Sequence, residues 1–182
     1  QRQMCIRDSF RELETIPSPI LSGFYDWIIE KEEARLGPQM WQVTYETLRG
    51  CPYQCTFCDI GDLYWNKISK FDMPRIKAEI DWMAENKIEY VSVCDSNWGM
   101  LERDLEITEY VIKKKTETGY PKFWDVTWAK TNSENIYKIA KKDKEAGSRL
   151  FKGVTFAMQS FNPTTQEATK RVNLKSNEAL QY

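Results

Sequence analysis

The sequence predicts an α/β protein, a parallel sheet with helices packed outside it. Three observations predict this class. Short β-branched or apolar runs alternate with stretches whose apolar residues recur at the helical period. After the first run, the others start roughly thirty residues apart, the length of a right-handed strand–helix–strand crossover. The 182-residue chain is also 41% hydrophobic, enough apolar material for one domain with a core.

The elements follow in order. Residues 1–9, "QRQMCIRDS", read as a non-native or disordered terminus that resembles sequencing-adapter read-through, which leaves Cys5 without a role. In residues 10–38, Pro17, Pro19 and Gly23 interrupt regular structure ahead of a short helical stretch, so this is a linker or lead-in segment. "WQVTYET" (41–47) alternates and is β-branched, the pattern of a strand. A helix is predicted over 73–87, with Ile76, Ile80, Met83 and Ala84 on one face. "YVSVC" (90–94) is a second strand, followed by a helix whose stripe is Leu101, Leu105, Thr108 and Ile112. "FWDVTWA" (123–129) is a third strand. The next helix starts near Ser133, uses Ile136, Ile139 and Ala140, and stops at Gly147. "GVTFAMQ" (153–159) is a fourth strand, and "LKSNEALQY" opens a fourth helix with its cap at Ser176. Four βα units are too few to close a barrel. Residues 39–182 are therefore expected to be the N-terminal part of a longer core, a fragment with an unpaired edge at its fourth strand.

Composition excludes several classes. The net charge is −1, which offers no electrostatic reason for a nucleic-acid or anionic-membrane partner. The lysines at 113–115 and 141–144 are interleaved or flanked with acids and read as solvated helix faces. No apolar run approaches a transmembrane length, and no signal peptide is visible. Five cysteines, an odd number, do not form a secreted disulfide framework, so a cytoplasmic location is expected. The chain has no histidine, which removes the commonest general base and the commonest metal ligand.

The chemistry concentrates in "ETLRGCPYQCTFCDIGD" (46–62), directly after the first strand. Cys51, Cys55 and Cys58 fall within eight positions. No regular element brings three sulfurs so spaced to one point, so the stretch is a loop wrapped around something. Thiolates are the protein ligands of iron–sulfur clusters, and a cubane cluster takes four. Three leave one iron open to a small chelating molecule. A structural zinc site wants four protein ligands, commonly two cysteine pairs; the second pair is missing. Cys94 reads as a small hydrophobe buried at the end of the second strand.

"RGCPYQCTFCD" resembles the cluster loop of the radical S-adenosylmethionine (radical SAM) superfamily, Cys-x₃-Cys-x-aromatic-Cys after the first strand of a partial (β/α) barrel. Phe57 is the aromatic residue here. "VCDSNWGM" (93–100) lacks the Gly-Gly-Glu form found in many members. It resembles the Asp-x-Asn-aromatic-Gly version of the branch that follows a cobalamin (B12)-binding domain, and the linker "IPSPILSGFYDWI" resembles the junction after that domain. The resemblance implies a truncated radical SAM core of about four βα units. Cys51, Cys55 and Cys58 would hold a [4Fe-4S] cluster, and Phe57 would pack near the adenine of SAM. Asp95 and Asn97 would hold the SAM amine, the competing reading being an Asx-capped turn. Gln159 and Ser160 would contact the ribose or methionine part, and Lys130 would face SAM or substrate. Arg171 reads as helix decoration. These segments share the carboxyl ends of parallel strands, where such folds build their sites.

The implied reaction is reductive cleavage of SAM to a 5′-deoxyadenosyl radical that abstracts hydrogen from a small-molecule or peptide substrate. An external donor such as flavodoxin or ferredoxin would supply the electron. Cobalamin, held by an upstream domain, would add methyl transfer. The alternative is a non-catalytic metal-binding module, zinc or electron-transfer Fe–S.

Overall fold

The computed structural model describes residues 13–61, 66–155 and 157–171. Among the described residues the α-helices are α1 (Phe24–Leu36), α2 (Met73–Glu85), α3 (Arg103–Thr118), α4 (Ser133–Glu145) and the short α5 (Pro163–Ala168). The strands are β1 (Gln42–Tyr45), β2 (Leu48–Arg49), β3 (Ser69–Lys70), β4 (Tyr90–Val93) and β5 (Phe123–Asp125). β1, β4 and β5 form a parallel sheet in that order, with Tyr45 opposite Val93 and Ser92 opposite Asp125. β2 and β3 form a separate antiparallel ladder, Leu48 against Lys70 and Arg49 against Ser69. The expected α/β class with successive parallel βα units is the one observed. No helix among the described residues is long and apolar enough to cross a membrane.

The helices form where the periodicity places them. α2 begins at Asp72, whose carboxylate accepts from Arg75 N, with Pro74 in the first turn. Its inward face carries Ile76, Ile80 and Met83, all fully buried. At about 2–3 kcal/mol for each such side chain, this face outweighs the capping bond, worth about 1 kcal/mol. Ile107 and Val111 of α3 and Ile136 and Ile139 of α4 complete the layer. Trp98 and Trp124 meet edge to face within it, ring centroids 6.0 Å apart.

Gly99 packs closely against α4. Its φ is +89°, and a Cβ there would lie 2.8 Å from Ile136 Cγ1. Gly99→Ala therefore adds backbone strain to a clash in a packed core. A loss of about 2–4 kcal/mol is expected from those two costs together, read as a lower denaturant midpoint at unchanged m-value.

The helical stretch expected after Gly23 is α1, thirteen residues long. Several expectations need correction. The third strand's ladder stops at Asp125; residues 127–129 instead bracket Trp98, with Trp98 N donating to Thr127 O and Ala129 N to Trp98 O, both at 2.8 Å. The described residues of the predicted fourth strand, 153–155 and 157–159, carry no strand. Trp124 N takes Leu150 O, and the Trp128 indole N–H then takes Gly153 O at 2.9 Å. A side chain thus occupies an acceptor that a continuing ladder would use. The predicted helix capped by Ser176 lies outside the described residues. Cys94 is exposed rather than buried, because the buried positions of β4 alternate and end at Val93.

Candidate active site at the cysteine loop

The loop is built from its base upward. Cys94 N donates to Tyr45 O at 2.7 Å and carries the β1–β4 pairing one residue past the end of β4. Asp95 then turns its carboxylate back under the exit of β1. Oδ1 accepts from Thr47 N at 2.9 Å and Leu48 N at 3.2 Å, and Oδ2 accepts from the Thr47 hydroxyl. Burial pushes the Asp95 carboxyl up to about 6, against the opposing pull of these donors. The β2–β3 ladder follows at once and closes the neck of the segment that carries the cysteines.

The first half of the loop is fastened to the ends of β4 and β5. Asn97 Nδ2 donates to Cys51 Sγ at 3.2 Å, while its Oδ1 accepts from Lys130 Nζ at 3.3 Å. That ammonium also stands 5.5 Å from the Tyr53 ring centroid, within cation–π range. The Tyr53 and Thr131 hydroxyls are hydrogen-bonded to each other. The second half is fastened to the chain after α5. Thr56 N donates to Thr169 O at 3.1 Å, and Arg171 Nη1 reaches Cys55 Sγ at 3.9 Å. Arg171 is 6% exposed, so its reading as helix decoration is overturned: its guanidinium lies under the loop.

A second carboxylate braces the turn behind Trp98. Asp104 Oδ2 accepts from Gly99 N at 2.9 Å and Leu101 N at 3.0 Å. Asn135 Nδ2 donates to the carbonyls of the same two residues. Burial also pushes the Asp104 carboxyl up to about 6. Thr47, Tyr53, Thr131, Asp104 and Asn135 were all missed in the sequence. Only Asp104, three residues after Leu101 in "LERD", carries a local signal, half of a capping box.

The structure brings Cys51 together with Asn97 and Lys130, and Cys55 together with Arg171. Cys51 and Cys55 are buried and Cys58 is exposed. Phe57 is 52% exposed on the same turn. Among the described residues, no three Cys, Asp or Glu side chains stand close enough to hold a metal ion. Asp95 spends both oxygens on its own chain and supports the loop from below. Ser160 Oγ accepts from Asn162 N at 3.1 Å, within the turn that opens α5, and Gln159 is exposed beside it. The donor chemistry fits a thiolate-ligated cluster: three thiols in one loop, no imidazole, and N–H donors from Asn97 and Arg171 at the two buried sulfurs. Such donors strengthen as sulfur gains negative charge.

The radical SAM superfamily model matches residues 45–180, from the last residue of β1 past the end of the described chain. The chain belongs to the radical SAM superfamily. It is 38% identical over 164 residues to a 2-(S-pantetheinyl)-carbapenam-3-carboxylate methyltransferase of Streptantibioticus cattleyicolor. It is 35% identical over 158 residues to the cobalamin-dependent radical SAM methyltransferase TokK of Streptomyces tokunonensis. These alignments cover 90% and 87% of this chain but 23% of each relative, so the chain spans about a quarter of the length of the curated relatives it matches.

Proposed function

We propose that this chain is the cluster-bearing part of a radical SAM enzyme that serves cobalamin-dependent methyl transfer. The observation that carries the reading is the Cys51–Cys55–Cys58 loop, fastened at the carboxyl ends of parallel strands with Asn97 at one buried sulfur and Arg171 at another. Cys51, Cys55 and Cys58 would hold a [4Fe-4S] cluster. When bound, the cluster and SAM supply a 5′-deoxyadenosyl radical by reductive cleavage, and the protein's share is to bind, orient and shield.

That share can be assigned to residues. Asp95 holds the Thr47–Leu48 turn that launches the loop. Asn97 aims its amide at Cys51, with Lys130 holding the other end of that amide. Lys130 is a cation beside the loop, suited to a carboxylate on SAM or substrate. Phe57, exposed on the loop, has a free ring for adenine, and Gln159 and Ser160 remain the residues for the ribose or methionine part. The methyl-transfer reading draws on the two relatives, whose names specify methyltransferases. The electron would come from an external flavodoxin- or ferredoxin-like donor, and cobalamin would be held by a part of the enzyme outside this chain.

The test is anaerobic reconstitution with iron and sulfide, followed by EPR of the reduced protein with and without SAM. A cluster signal that changes on adding SAM is expected. Iron binding with a spectrum indifferent to SAM would instead mark an electron-transfer module, and zinc binding without a cluster would defeat both iron readings.

A further inference from the structure

We propose that Arg171 is a positioning residue for the cysteine loop: it clamps Cys55 from below and raises the reduction potential of the cluster that Cys55 would help hold. This rests on the functional reading above. Arg171 lies 116 positions from Cys55 in sequence, just past α5. Its guanidinium carries a permanent charge with donors in a fixed planar fork. Burying it is costly unless acceptors replace lost water. Two of those acceptors are visible: Nη2 donates to Ala157 O, and Nη1 points at Cys55 Sγ. The backbone bond from Thr56 N to Thr169 O ties the same two segments together one residue farther along the loop. The fork therefore spans the chain before α5 and the middle cysteine, and joins the segment flanking α5 to the loop.

The contact has an electrostatic consequence. A neutral thiol is a weak acceptor, whereas a thiolate or cluster-bound sulfur is a strong one. A fixed positive charge next to a ligand sulfur favours the redox state carrying more negative charge, because the interaction is Coulombic and the site is shielded from water. Arg171 should therefore make the cluster easier to reduce. Asn97, a neutral donor at Cys51, lacks this long-range part.

The experiment compares wild type with Arg171→Gln and Arg171→Lys by two measurements. The first is the reduction midpoint of the anaerobically reconstituted chain. Arg171→Gln is expected to shift it to more negative potential, and Arg171→Lys to restore part of the shift by returning the charge. An unchanged midpoint in Arg171→Gln overturns the electrostatic part. The second needs no cluster: alkylation rates of Cys55 and Cys51 in the metal-free chain, by mass spectrometry. Losing the charge lowers the thiolate fraction while losing the clamp opens access. The rates are therefore compared at alkaline pH, where thiols are ionised in every variant. There Arg171→Gln is expected to raise the Cys55/Cys51 rate ratio about fivefold or more, the factor set by one lost net hydrogen bond. An unchanged ratio in a folded variant overturns the clamp. If Arg171→Gln unfolds, both cysteines react fast and Arg171→Lys decides, with a wild-type ratio expected if charge alone suffices and an intermediate ratio if the fork is needed; a ratio equal to that of unfolded chain overturns the proposal. If wild type takes up no cluster, the functional reading fails, while the alkylation ratio still decides the clamp.

Discussion

Cys55→Ala is expected to leave a folded protein that holds no cluster and forms no 5′-deoxyadenosine. Cys55 is 5% exposed, so removing its sulfur costs a small buried group, about 1 kcal/mol on the scale of a deleted methylene. The lost ligand has no replacement nearby. The chain has no histidine, and among the described residues no other acid or thiol completes a set of three. Stability and iron content should therefore separate: a near-native thermal midpoint with iron and sulfide reduced to background. Cys58→Ala should lose iron equally at still smaller cost in stability, because Cys58 is exposed. Cys94→Ala, also at an exposed position, should keep the cluster and serves as the control. Retained cluster or retained 5′-deoxyadenosine in Cys55→Ala would contradict the ligand assignment.

Asp95→Ala should do the opposite, damaging the fold first and the site through it. The substitution strands three donors at the exit of β1: Thr47 N, Thr47 Oγ1 and Leu48 N. Thr47 is fully buried, so water cannot take over, and each orphaned donor costs about 1–3 kcal/mol. Relief of the buried carboxylate offsets part of this, since a carboxyl raised from 3.8 to about 6 marks about 3 kcal/mol of penalty on the ionised form. A net loss of roughly 3 kcal/mol at neutral pH is expected from these two terms, with cluster occupancy falling alongside because the loop loses its base.

The same carboxyl gives the pH dependence a definite sign. Asp95 and Asp104 have folded-state values above their unfolded ones, so the native state binds more protons than the unfolded chain between about pH 4 and 6. Their contribution to stability is fully present below the unfolded value and is lost as pH rises through about 6. The gap between wild type and Asp95→Ala should therefore be wider at pH 4 than at pH 7 in matched denaturant titrations. A gap that widens toward pH 7 would mean that the Thr47 and Leu48 donors hold the ionised form more strongly than burial penalises it.

The division between what the sequence shows and what it hides follows the distance over which each contact acts. The helical faces of α2, α3 and α4 and the caps at Asp72 and Gly147 are chain-local, set by side-chain period and by backbone groups a few residues away. The cysteine loop is legible for the same reason, its three thiols lying within eight positions. The errors fall where pairing is decided elsewhere. The apolar run at 153–159 looks like a strand, but the Trp128 indole takes an acceptor its ladder would use. The two-residue β2–β3 ladder is too short to have a period at all.

By itself, then, the amino-acid sequence determined the βα rhythm, the thiol set and the family they mark. The tertiary structure alone decided what each polar strand end does. Asp95 and Asn97 share one short turn, yet Asp95 reaches Thr47 and Leu48 while Asn97 reaches Cys51 and Lys130. Arg171, indistinguishable in sequence from a solvated helix residue, is buried beneath Cys55. These roles depend on partners 33 to 116 positions away. Only folding the sheet brings those partners within hydrogen-bond reach, and a spacing rule along the chain carries no record of that proximity.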